Sequence, residues 1–430
     1  MLSVFLILGF TFGVDSSQKA AATVTGMNQL ASYDYTNTHA ERGSPATLSD
    51  DGNFVVFAST NSSIVSSDSN GITRDLFIRS MQTNSTSLVD QSTNGVQAAS
   101  GVSVPTTGAS FAVSKTGRYV LFVSVDPYLI DGQTISDGNE HVYLRDTVSN
   151  TTSLIDQTSG GTIGNASATP VVVSDEGRFV FFTSNADNLL SSGNPSNTNW
   201  SYLYMKDMTN GSIQMISRSN SGSVANEPIS HASASCDGSL VVFGSTATNL
   251  TPSNNGHSSV YLVDLRSGFN ITNLTLSANN DTSTGSISCD GRYIALNSKA
   301  TNLTTDSVSG TVNHIFRYDR VSGQYLLMDK SSDGAIASDG SSFIGQAGRS
   351  VSDNGGVIFA TYDTNLVSPS ASSHYEIYLR TPEANTTELV PINSSGQEGS
   401  PGPSGWTHTM AISADGKSIV YTDLNLEINP

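Results

Sequence analysis

The sequence predicts an all-β fold, a seven-bladed β-propeller of four-stranded antiparallel blades. The first observation is a phrase that occurs seven times, a small polar turn that ends in glycine and is followed by a short apolar run. The second is the spacing of these copies, 53 to 65 residues, which indicates that one supersecondary unit is used repeatedly. The turn glycines are Gly52, Gly117, Gly177, Gly238, Gly291, Gly355 and Gly416.

The turn and the runs on either side of it predict the first two strands of each unit. Asp, Asn and Ser bond to their own backbone in turns, and glycine adopts the positive φ that a tight hairpin needs. The runs after the turn, such as residues 54–57 and 179–182, are rich in β-branched and aromatic residues and too short for a buried helix. Runs of smaller residues, such as 171–174, precede the turn. A hairpin alone is marginal in water, so further strands are expected.

A third and a fourth strand follow in each copy. A polar loop with an Asn-Leu pair, such as Asn188-Leu189, leads to a third strand, as at residues 75–79 and 141–145. Another turn leads to a fourth strand, as at residues 87–90. These outer strands alternate apolar and polar residues, as half-exposed strands do. Four antiparallel strands repeated around an axis form a β-propeller.

Together these features resemble the WD40-like (PD40) repeats of TolB-like propellers, over residues 45–424. The resemblance rests on the Ser-x-Asp-Gly turn, the Asn-Leu loop and the aromatic third strand. Three copies depart from it, because Thr116, Glu176 and Asn354 stand where the turn Asp is expected, but all three residues can make the turn. The resemblance implies the fold and leaves the function broad, because this superfamily is diverse.

The two ends of the chain predict how the ring closes. Residues 1–22 resemble a signal peptide that lacks the usual positive start, and the apolar stretch is too short to span a membrane. The alternative is that residues 4–8 form a propeller strand. Residues 23–430 are predicted to be a single propeller domain. Residues 23–26 are predicted to form an outer strand that has no blade of its own. Residues 408–424 are predicted to form a blade that lacks its outer strand, so we expect the N-terminal strand to complete this last blade.

Two stretches interrupt the period and predict long loops at the blade ends, residues 329–346 and 391–409. Turns such as Ser332-Asp333-Gly334 imitate the recurring phrase there, but no adequate strand follows them. Loops in these positions often carry binding functions.

Composition excludes several partners. The chain has 19 basic and 37 acidic residues and a net charge of −18. Nucleic-acid binding requires a basic surface, and docking to anionic lipid is disfavoured for the same reason. The composition suits a solvated extracellular or periplasmic protein, expected to be a monomer without membrane insertion.

The two cysteines, Cys236 and Cys289, occupy the same position in adjacent repeats. Equivalent turns in a seven-fold ring are expected about 7 to 10 Å apart, at or beyond the reach of a disulfide. The sequence is compatible with a disulfide and with two half-buried free thiols, and it slightly favours the thiols. Neither cysteine has a neighbouring histidine in sequence, which argues against a nucleophile.

One loop could hold a metal ion. Residues 68–75 place oxygen ligands at alternate positions, a pattern that could bind Ca²⁺. Other copies of the loop lack some of these ligands, so a solvated turn is the favoured interpretation. We therefore expect no metal and no cofactor.

Histidines at the channel mouth are the remaining candidates for chemistry. His231 and His408, with Trp406 beside the latter, lie near predicted inner-strand starts, where propeller ligands commonly bind. The resemblance implies that such histidines can serve a lyase. Without a matching carboxylate in sequence, isolated polar residues are the favoured interpretation. His141 and His314 share a third-strand position that predicts an exposed strand start.

The favoured hypothesis is a secreted or periplasmic, non-enzymatic propeller that binds a protein or a glycan through its loops. The chain offers no Gly-x-Ser-x-Gly, phosphate loop, His-Glu-x-x-His or Cys-x-x-Cys sequence. The alternative is a polysaccharide lyase or glycosidase with its site at the central channel mouth. A cluster of buried His, Arg and carboxylate at one mouth would favour the enzyme.

Overall fold

The computed structural model of the chain describes most of the repeat region. The described residues are 3–8, 27–37, 46–103, 111–266, 268–338, 342, 344, 348–367, 376–390 and 410–423. Among them, no helix has the length and apolar character needed to cross a bilayer.

The described residues form 27 strands in seven antiparallel sheets. In chain order the strands are β1 (Ser3–Leu8), β2 (Met27–Leu30), β3 (Ala46–Leu48), β4 (Phe54–Ser59), β5 (Asp75–Ser80), β6 (Ser85–Leu88), β7 (Phe111–Val113), β8 (Tyr119–Ser124), β9 (His141–Asp146), β10 (Thr151–Leu154), β11 (Ala168–Val173), β12 (Phe179–Ser184), β13 (Tyr202–Asp207), β14 (Ser212–Met215), β15 (Ile229–Ala234), β16 (Leu240–Ser245), β17 (Ser259–Asp264), β18 (Asn270–Asn273), β19 (Thr282–Ile287), β20 (Tyr293–Ser298), β21 (His314–Asp319), β22 (Gln324–Leu327), β23 (Val357–Thr361), β24 (Glu376–Thr381), β25 (Thr386–Leu389), β26 (Met410–Ile412) and β27 (Ser418–Asp423).

Six of the sheets are complete four-stranded blades. We number the first five in chain order, from β3–β6 to β19–β22, and we use "terminal blade" for the sheet β2-β1-β27-β26. The sheet between the fifth and the terminal blade, β23–β25, has three strands. The structure thus confirms an all-β propeller of four-stranded antiparallel blades. The predicted number of seven such blades is wrong among the described residues, which contain six.

The three-stranded sheet lacks a regular inner strand for a local reason. Ser350 and Ser352 lie beside β23, since Ile358 N donates to Ser350 O at 2.9 Å and Ser352 N donates to Gly356 O at 2.9 Å. Val351 and Val357 form an isolated antiparallel β-bridge, and among the described residues no further backbone pairs extend it into a strand ladder. The carbonyl of the preceding residue, Arg349, accepts from Ile412 N of the terminal blade at 2.9 Å.

Both ends of the chain contribute to the terminal blade. β1 pairs with β27 from Ser3–Asp423 to Leu8–Ser418, and with β2 on its other side. The stretch that resembles a signal-peptide core therefore lies in a propeller strand, which was the alternative. Removal of residues 1–22 as a signal peptide stays a prediction. The strand expected at residues 23–26 lies outside the described residues.

The serine of the recurring turn holds each inner hairpin together. In the first blade, Ser49 Oγ accepts the N–H of Phe54 at 2.9 Å and donates to Asp51 at 2.6 Å. The same serine-to-strand bond occurs at Tyr119, Phe179, Leu240, Tyr293 and Ser418. Because the serine makes this bond alone, the turn tolerates Thr116 and Glu176 in place of aspartate.

The hydrophobic core lies between neighbouring sheets, and every such interface has its own cluster. Val56 and Phe122 belong to the cluster between the first and second blades. Ala411 and Val420 of the terminal blade pack in one cluster with Val55 and Phe57 of the first. Within the sheets, an aromatic residue of the second strand stacks on one of the third at 5.5–5.7 Å, in the pairs Phe57–Phe77, Phe122–Tyr143, Phe182–Tyr204, Phe243–Tyr261 and Phe359–Tyr378. The recurrent aromatic third strand is thus a packing feature.

The asparagine of the Asn-Leu pair connects each blade to the one before it. Asn249 Nδ2 donates to Val224 O at 2.8 Å, and its Oδ1 accepts from Asn226 N at 3.1 Å. Asn188, Asn302 and Asn365 make the equivalent amide bond to the preceding segment. The following leucine is buried at Leu250. The motif therefore fixes the crossover between blades.

The turn glycines permit a test of backbone strain against packing. Gly117 and Gly132 have similar φ values, 72° and 76°. A Cβ added at Gly117 would lie 2.5 Å from the ring of Phe54, whereas a Cβ added at Gly132 would have no atom within 4 Å. We expect Gly132→Ala to lower the free energy of unfolding by about 1 kcal/mol from strain alone. Gly117→Ala should lose about 2–4 kcal/mol, because the Phe54 ring must also move. Urea denaturation measures both, and equal losses would show that the contact with Phe54 is unimportant.

Candidate functional site

The inner turns of the seven repeats meet in a continuous circuit of hydrogen bonds, which we call the turn ring. Each link joins one turn to the next, and the last returns to the first. The links are Asp51 N to Lys115 O (3.1 Å), Lys115 N to Asp175 Oδ1 (3.2 Å), Asp175 N to Cys236 O (2.8 Å), Cys236 N to Cys289 O (2.9 Å), Asp290 N to Asp353 Oδ1 (2.9 Å), Asp353 N to Ala414 O (2.7 Å) and Ala414 N to Asp50 O (2.8 Å). This ring is the narrow inner end of the propeller.

Arg349 fills the inside of the turn ring. Its Nη1 donates to Ala234 O at 2.9 Å and to Ile287 O at 2.7 Å, at the ends of two inner strands. Its Nε and Nη2 bind the carboxylate of Asp50 in the first blade. Both side chains of this pair are buried. One guanidinium thus ties the first, fourth and fifth blades together.

Cys236 and Cys289 form a disulfide, with their Cα atoms 4.7 Å apart. The expected separation of 7 to 10 Å was wrong here, because the bond from Cys236 N to Cys289 O draws the two turns together. Asp50 with these two cysteines is the one group of three His, Cys, Asp or Glu side chains within the described residues whose donor atoms lie within 4.8 Å of one another. Metal binding by cysteine requires free thiolates, so the disulfide form offers no thiolate ligand there.

The carboxylates of the turn ring are held in a partly desolvated environment. Burial raises the pKa of Asp175 to about 6, and the negative charge of Asp50 adds to this. Burial also raises the pKa of Asp353 above its ordinary value. Among the described residues, neither carboxylate forms an ion pair with an imidazole. The ion pair described in the turn ring is therefore Asp50 with Arg349, a buried pair that links blades.

His231 lies on β15, at the bulge between Ile229 and Ala232. Burial lowers its pKa to about 4, against a smaller opposing effect of the Gly285 backbone, so the imidazole is neutral at pH 7. Among the described residues it is part of no ion pair. The other two residues predicted for this mouth, Trp406 and His408, lie outside the described residues. The structure thus does not bring His231 together with a carboxylate.

The predicted long loop at residues 329–346 is in part a regular element. Ser331 N donates to Ala335 O at 2.7 Å, and Lys330 bridges to Ile336. The same small hairpin follows the fourth strand in the first three blades, at Ser92–Val96, Thr158–Thr162 and Ser219–Ser223. Residues 330–336 are therefore part of the repeat, and the prediction that they interrupt the period was wrong. Residues 339–341, 343 and 345–347 lie outside the described residues. The other loop, 391–409, lies outside the described residues.

His141 and His314 are buried, so the expectation of exposed strand starts was wrong. His141 Nδ1 lies 2.6 Å from Asp156 Oδ2, and its Nε2 lies 3.1 Å from Asp137 Oδ1. His314 Nδ1 lies 3.0 Å from Asp329 Oδ2. Burial opposes protonation of His141, but the bonds and charges of Asp156 and Asp137 outweigh it and raise its pKa. These pairs join the third strand to the end of the fourth and act as structural ties.

An open groove of about 780 Å³ runs along the outer strand of the first blade, and we call it the edge groove. One wall is β6, another is the turn of the second blade near Asn150, and a third is the N-terminal segment around Tyr35. The lining is rich in hydroxyl and amide side chains, namely Asn37, Ser66, Ser67, Ser80, Thr83, Asn84, Ser85, Thr86, Ser87, Gln91, Thr147 and Asn150. Tyr35 is 61% exposed.

Arginine side chains bind the turns beside the edge groove. Asn84 and Asn150 have left-handed φ of 57°, and their side-chain oxygens accept from Arg79 and Arg145 at 3.2 Å. Arg145 also donates to Ser92 O at 3.2 Å, so its charge is used within the protein. The groove therefore presents mostly neutral polar groups next to the exposed ring of Tyr35, with Asp34, Phe54 and Arg145 also in its lining. No local sequence pattern indicates this groove, because its walls come from three separate parts of the chain.

No family model and no curated protein matches the chain. Similar solved structures are β-propellers. TolB from Acinetobacter baumannii is 13% identical with a TM-score of 0.37, over 75% of this chain and 62% of that one. A putative TolB from Agrobacterium tumefaciens is 13% identical with a TM-score of 0.41, over 76% and 87% of the two chains. The β-propeller domain of the Trilobed protease from Pyrococcus furiosus is 8% identical with a TM-score of 0.48, over 85% and 86%.

The chain spans less than two thirds of the Acinetobacter protein. The resemblance to TolB-like propellers that the repeats predict is found among these solved structures. The fold itself rests on the strand pairing and the turn ring described above.

Removal of Arg349 tests the closure of the turn ring. Arg349→Ala leaves the buried carboxylate of Asp50 without its partner, and we expect a loss of about 3–5 kcal/mol in the free energy of unfolding. Arg292→Ala breaks a surface pair with Asp319, whose arginine side chain is 44% exposed, and should lose at most about 1 kcal/mol. Chemical denaturation compares the two. Equal losses would mean that Arg349 contributes no more than a surface ion pair.

The pair of His141 and Asp156 makes stability depend on pH. The pKa of His141 is higher in the folded than in the unfolded protein, where it is about 6.5. The stability that protonated His141 contributes is therefore fully present below about pH 6.5, and it is lost as pH rises through the folded-state pKa. The difference in unfolding free energy between the parent and His141→Gln should shrink from pH 6 towards pH 9. His257→Gln, at a partly exposed position, is the control. A difference that is constant over this range would contradict a charged His141.

Proposed function

We propose that the protein is a secreted or periplasmic, non-enzymatic β-propeller that binds a glycan or a protein through its surface loops and edges. Of these two ligands, the edge groove favours a glycan. The observation that carries the proposal is a groove of about 780 Å³ with hydroxyl and amide walls and an exposed tyrosine. That volume lies within the range of sites for small ligands.

The chemistry of the groove matches a neutral sugar. Sugar hydroxyls both donate and accept hydrogen bonds, and so do the serine, threonine and amide side chains of the walls. The flat apolar face of a sugar ring can lie on the Tyr35 ring, which offers contact area at low entropic cost. Arg145, the basic residue of the lining, donates to carbonyl and side-chain oxygens of the protein itself. With a net charge of −18, the chain is better suited to a neutral than to an acidic glycan.

Several other features support the wider proposal. Both ends of the chain combine in the terminal blade, which packs on the first blade, and this supports a closed ring. The acidic composition supports a solvated, secreted or periplasmic monomer that binds neither nucleic acid nor membrane. The neutral, unpaired His231 supports a binding role over the alternative of a lyase or glycosidase at the channel mouth.

The test compares two equally exposed tyrosines. Tyr35 borders the edge groove and Tyr128 does not, and each is 61% exposed. We expect a neutral oligosaccharide found by glycan-array screening to bind at least tenfold more weakly to Tyr35→Ala than to the parent, as measured by calorimetry. Tyr128→Ala should bind like the parent, because it lies outside the groove.

The same screen can overturn the proposal. Glycan binding that is unchanged in Tyr35→Ala would exclude the edge groove as the site. Turnover of any polysaccharide that disappears in His231→Ala would establish the enzyme instead. Binding to proteins alone, with no glycan retained, would assign the other ligand class.

A further inference from the structure

A cluster of buried oxygen atoms lies at the outer end of the first blade. It consists of Asp68 and Asn70 in the loop between β4 and β5, Asp75 at the start of β5, and Asp90 after β6, and we call it the Asp75 cluster. Each residue has one buried side-chain oxygen without a hydrogen-bond partner, Asp68 Oδ2, Asn70 Oδ1, Asp75 Oδ2 and Asp90 Oδ2. Asp75 and Asp90 are both 0% exposed. Unpartnered buried carboxylate oxygens are costly, so a missing partner is indicated.

The orientation of Asn70 is fixed by its own donors. Its Nδ2 donates to Asp75 Oδ1 at 2.8 Å and to Ala98 O at 2.9 Å, so both amide hydrogens are used. Rotation of the amide would bring its oxygen against two acceptors. The unpartnered atom is therefore the oxygen, and the group that it needs must be a donor or a cation.

The second and fifth blades show what usually fills this position. Asp75, His141 and His314 are each the first residue of a third strand and pair with the last residue of the second strand. In those two blades the histidine binds the aspartate that follows the fourth strand, Asp156 or Asp329. Asp90 is the equivalent aspartate of the first blade, where it accepts from Leu76 N at 2.9 Å as Asp156 accepts from Val142 N at 3.1 Å.

The first blade thus has an acid where the second has a histidine between two carboxylates. Replacing the histidine with Asp75 removes a positive group and adds a negative one at the same place. The fourth blade avoids the problem with neutral groups, because Ser259 Oγ donates to Asn255 Oδ1 at 3.2 Å and Thr275 Oγ1 accepts from Val260 N at 3.0 Å. Only the Asp75 cluster, among these four blades, combines acidic residues with no internal cation.

We propose that the Asp75 cluster binds a calcium ion, which takes the place that His141 occupies in the second blade. The available ligands are carboxylate and amide oxygens, without nitrogen or sulfur, and this set is typical of Ca²⁺. Asn70 Oδ1, Asp75 Oδ2 and Asp90 Oδ2 are the direct ligands. Asp68 already accepts from Asn70 N at 3.2 Å and from Gln97 Nε2 at 3.1 Å through its Oδ1, so we place it at the rim, bound through water.

The other copies of the loop lack these ligands for a reason that the sequence pattern conceals. In the sequence, the other copies of the loop lack some of the oxygen ligands, and this favoured a solvated turn over a metal site. In the structure, the second and fifth blades replace the ion with a histidine and the fourth with neutral groups. The absence of a repeated calcium pattern is therefore compatible with one site in one blade.

The experiment measures calcium binding to the full chain after treatment with EGTA. Isothermal titration at pH 7.5 with CaCl₂ should give one saturable site per chain, and the thermal midpoint should be higher in Ca²⁺ than in EGTA. Asp90→Asn and Asp75→Asn should each weaken calcium binding at least tenfold. Asp131→Asn, an exposed acid in the second blade, is the matched control and should bind like the parent.

The decisive variant is Asp75→His, which copies the second blade. We expect it to bind no calcium at this site and to unfold at the same temperature in EGTA and in Ca²⁺, because the imidazole replaces the ion. A parent protein without saturable calcium binding and with equal midpoints in EGTA and Ca²⁺ would overturn the proposal, and a proton shared by Asp75 and Asp90 would then explain the cluster. Calcium binding retained in both Asp75→Asn and Asp90→Asn would also overturn it, because the ion would lie elsewhere.

Discussion

The structure depends on one hydrogen bond, from the N–H that begins the second strand to the serine hydroxyl of the recurring turn. This bond closes the inner hairpin of the six four-stranded blades, and the turn of each hairpin bonds to the next turn. The turn ring that results returns from Ala414 to Asp50 and aligns blades that are distant in sequence. Arg349 and the disulfide between Cys236 and Cys289 then fill and tie the inner end. The polar side chains described at this end, Arg349 and Asp50, bind each other and neighbouring carbonyls.

A repeated scaffold lets one position vary while its neighbours stay constant. The first residue of the third strand is held by backbone pairing in every blade, so its side chain can change without loss of the sheet. Buried His141 and His314 use this position for ties to aspartate, and Ser259 uses it for a neutral hydrogen bond. Asp75 departs from these three, and its buried carboxylate oxygen without a hydrogen-bond partner is what indicates an ion. Comparison among blades of one chain thus identifies a site that no single repeat reveals.

The groups available for recognition lie at the outer edge of the propeller. The edge groove combines the turn asparagines, which arginines hold in a left-handed conformation, with hydroxyls of an outer strand and the ring of Tyr35. An outer strand is the place where a propeller exposes side chains without disturbing its core, because the apolar clusters lie between the sheets. A binding function at this edge is therefore compatible with a structural role for the buried histidines.

The sequence by itself determined the repeat, the turn chemistry and the strand composition of the blades, because these depend on local bonds and on short-range periodicity. Serine turns, positive-φ glycines and aromatic third strands could all be predicted from single copies. What only the tertiary structure decided are contacts between copies: the 4.7 Å approach of Cys236 and Cys289, the burial of His141 and His314, and the three-walled edge groove. The same holds for the strand at Ser3–Leu8, whose apolar residues suit a signal peptide and a blade equally. Which residues of distant repeats meet depends on how closely the turns pack around the axis, and no local pattern encodes that distance.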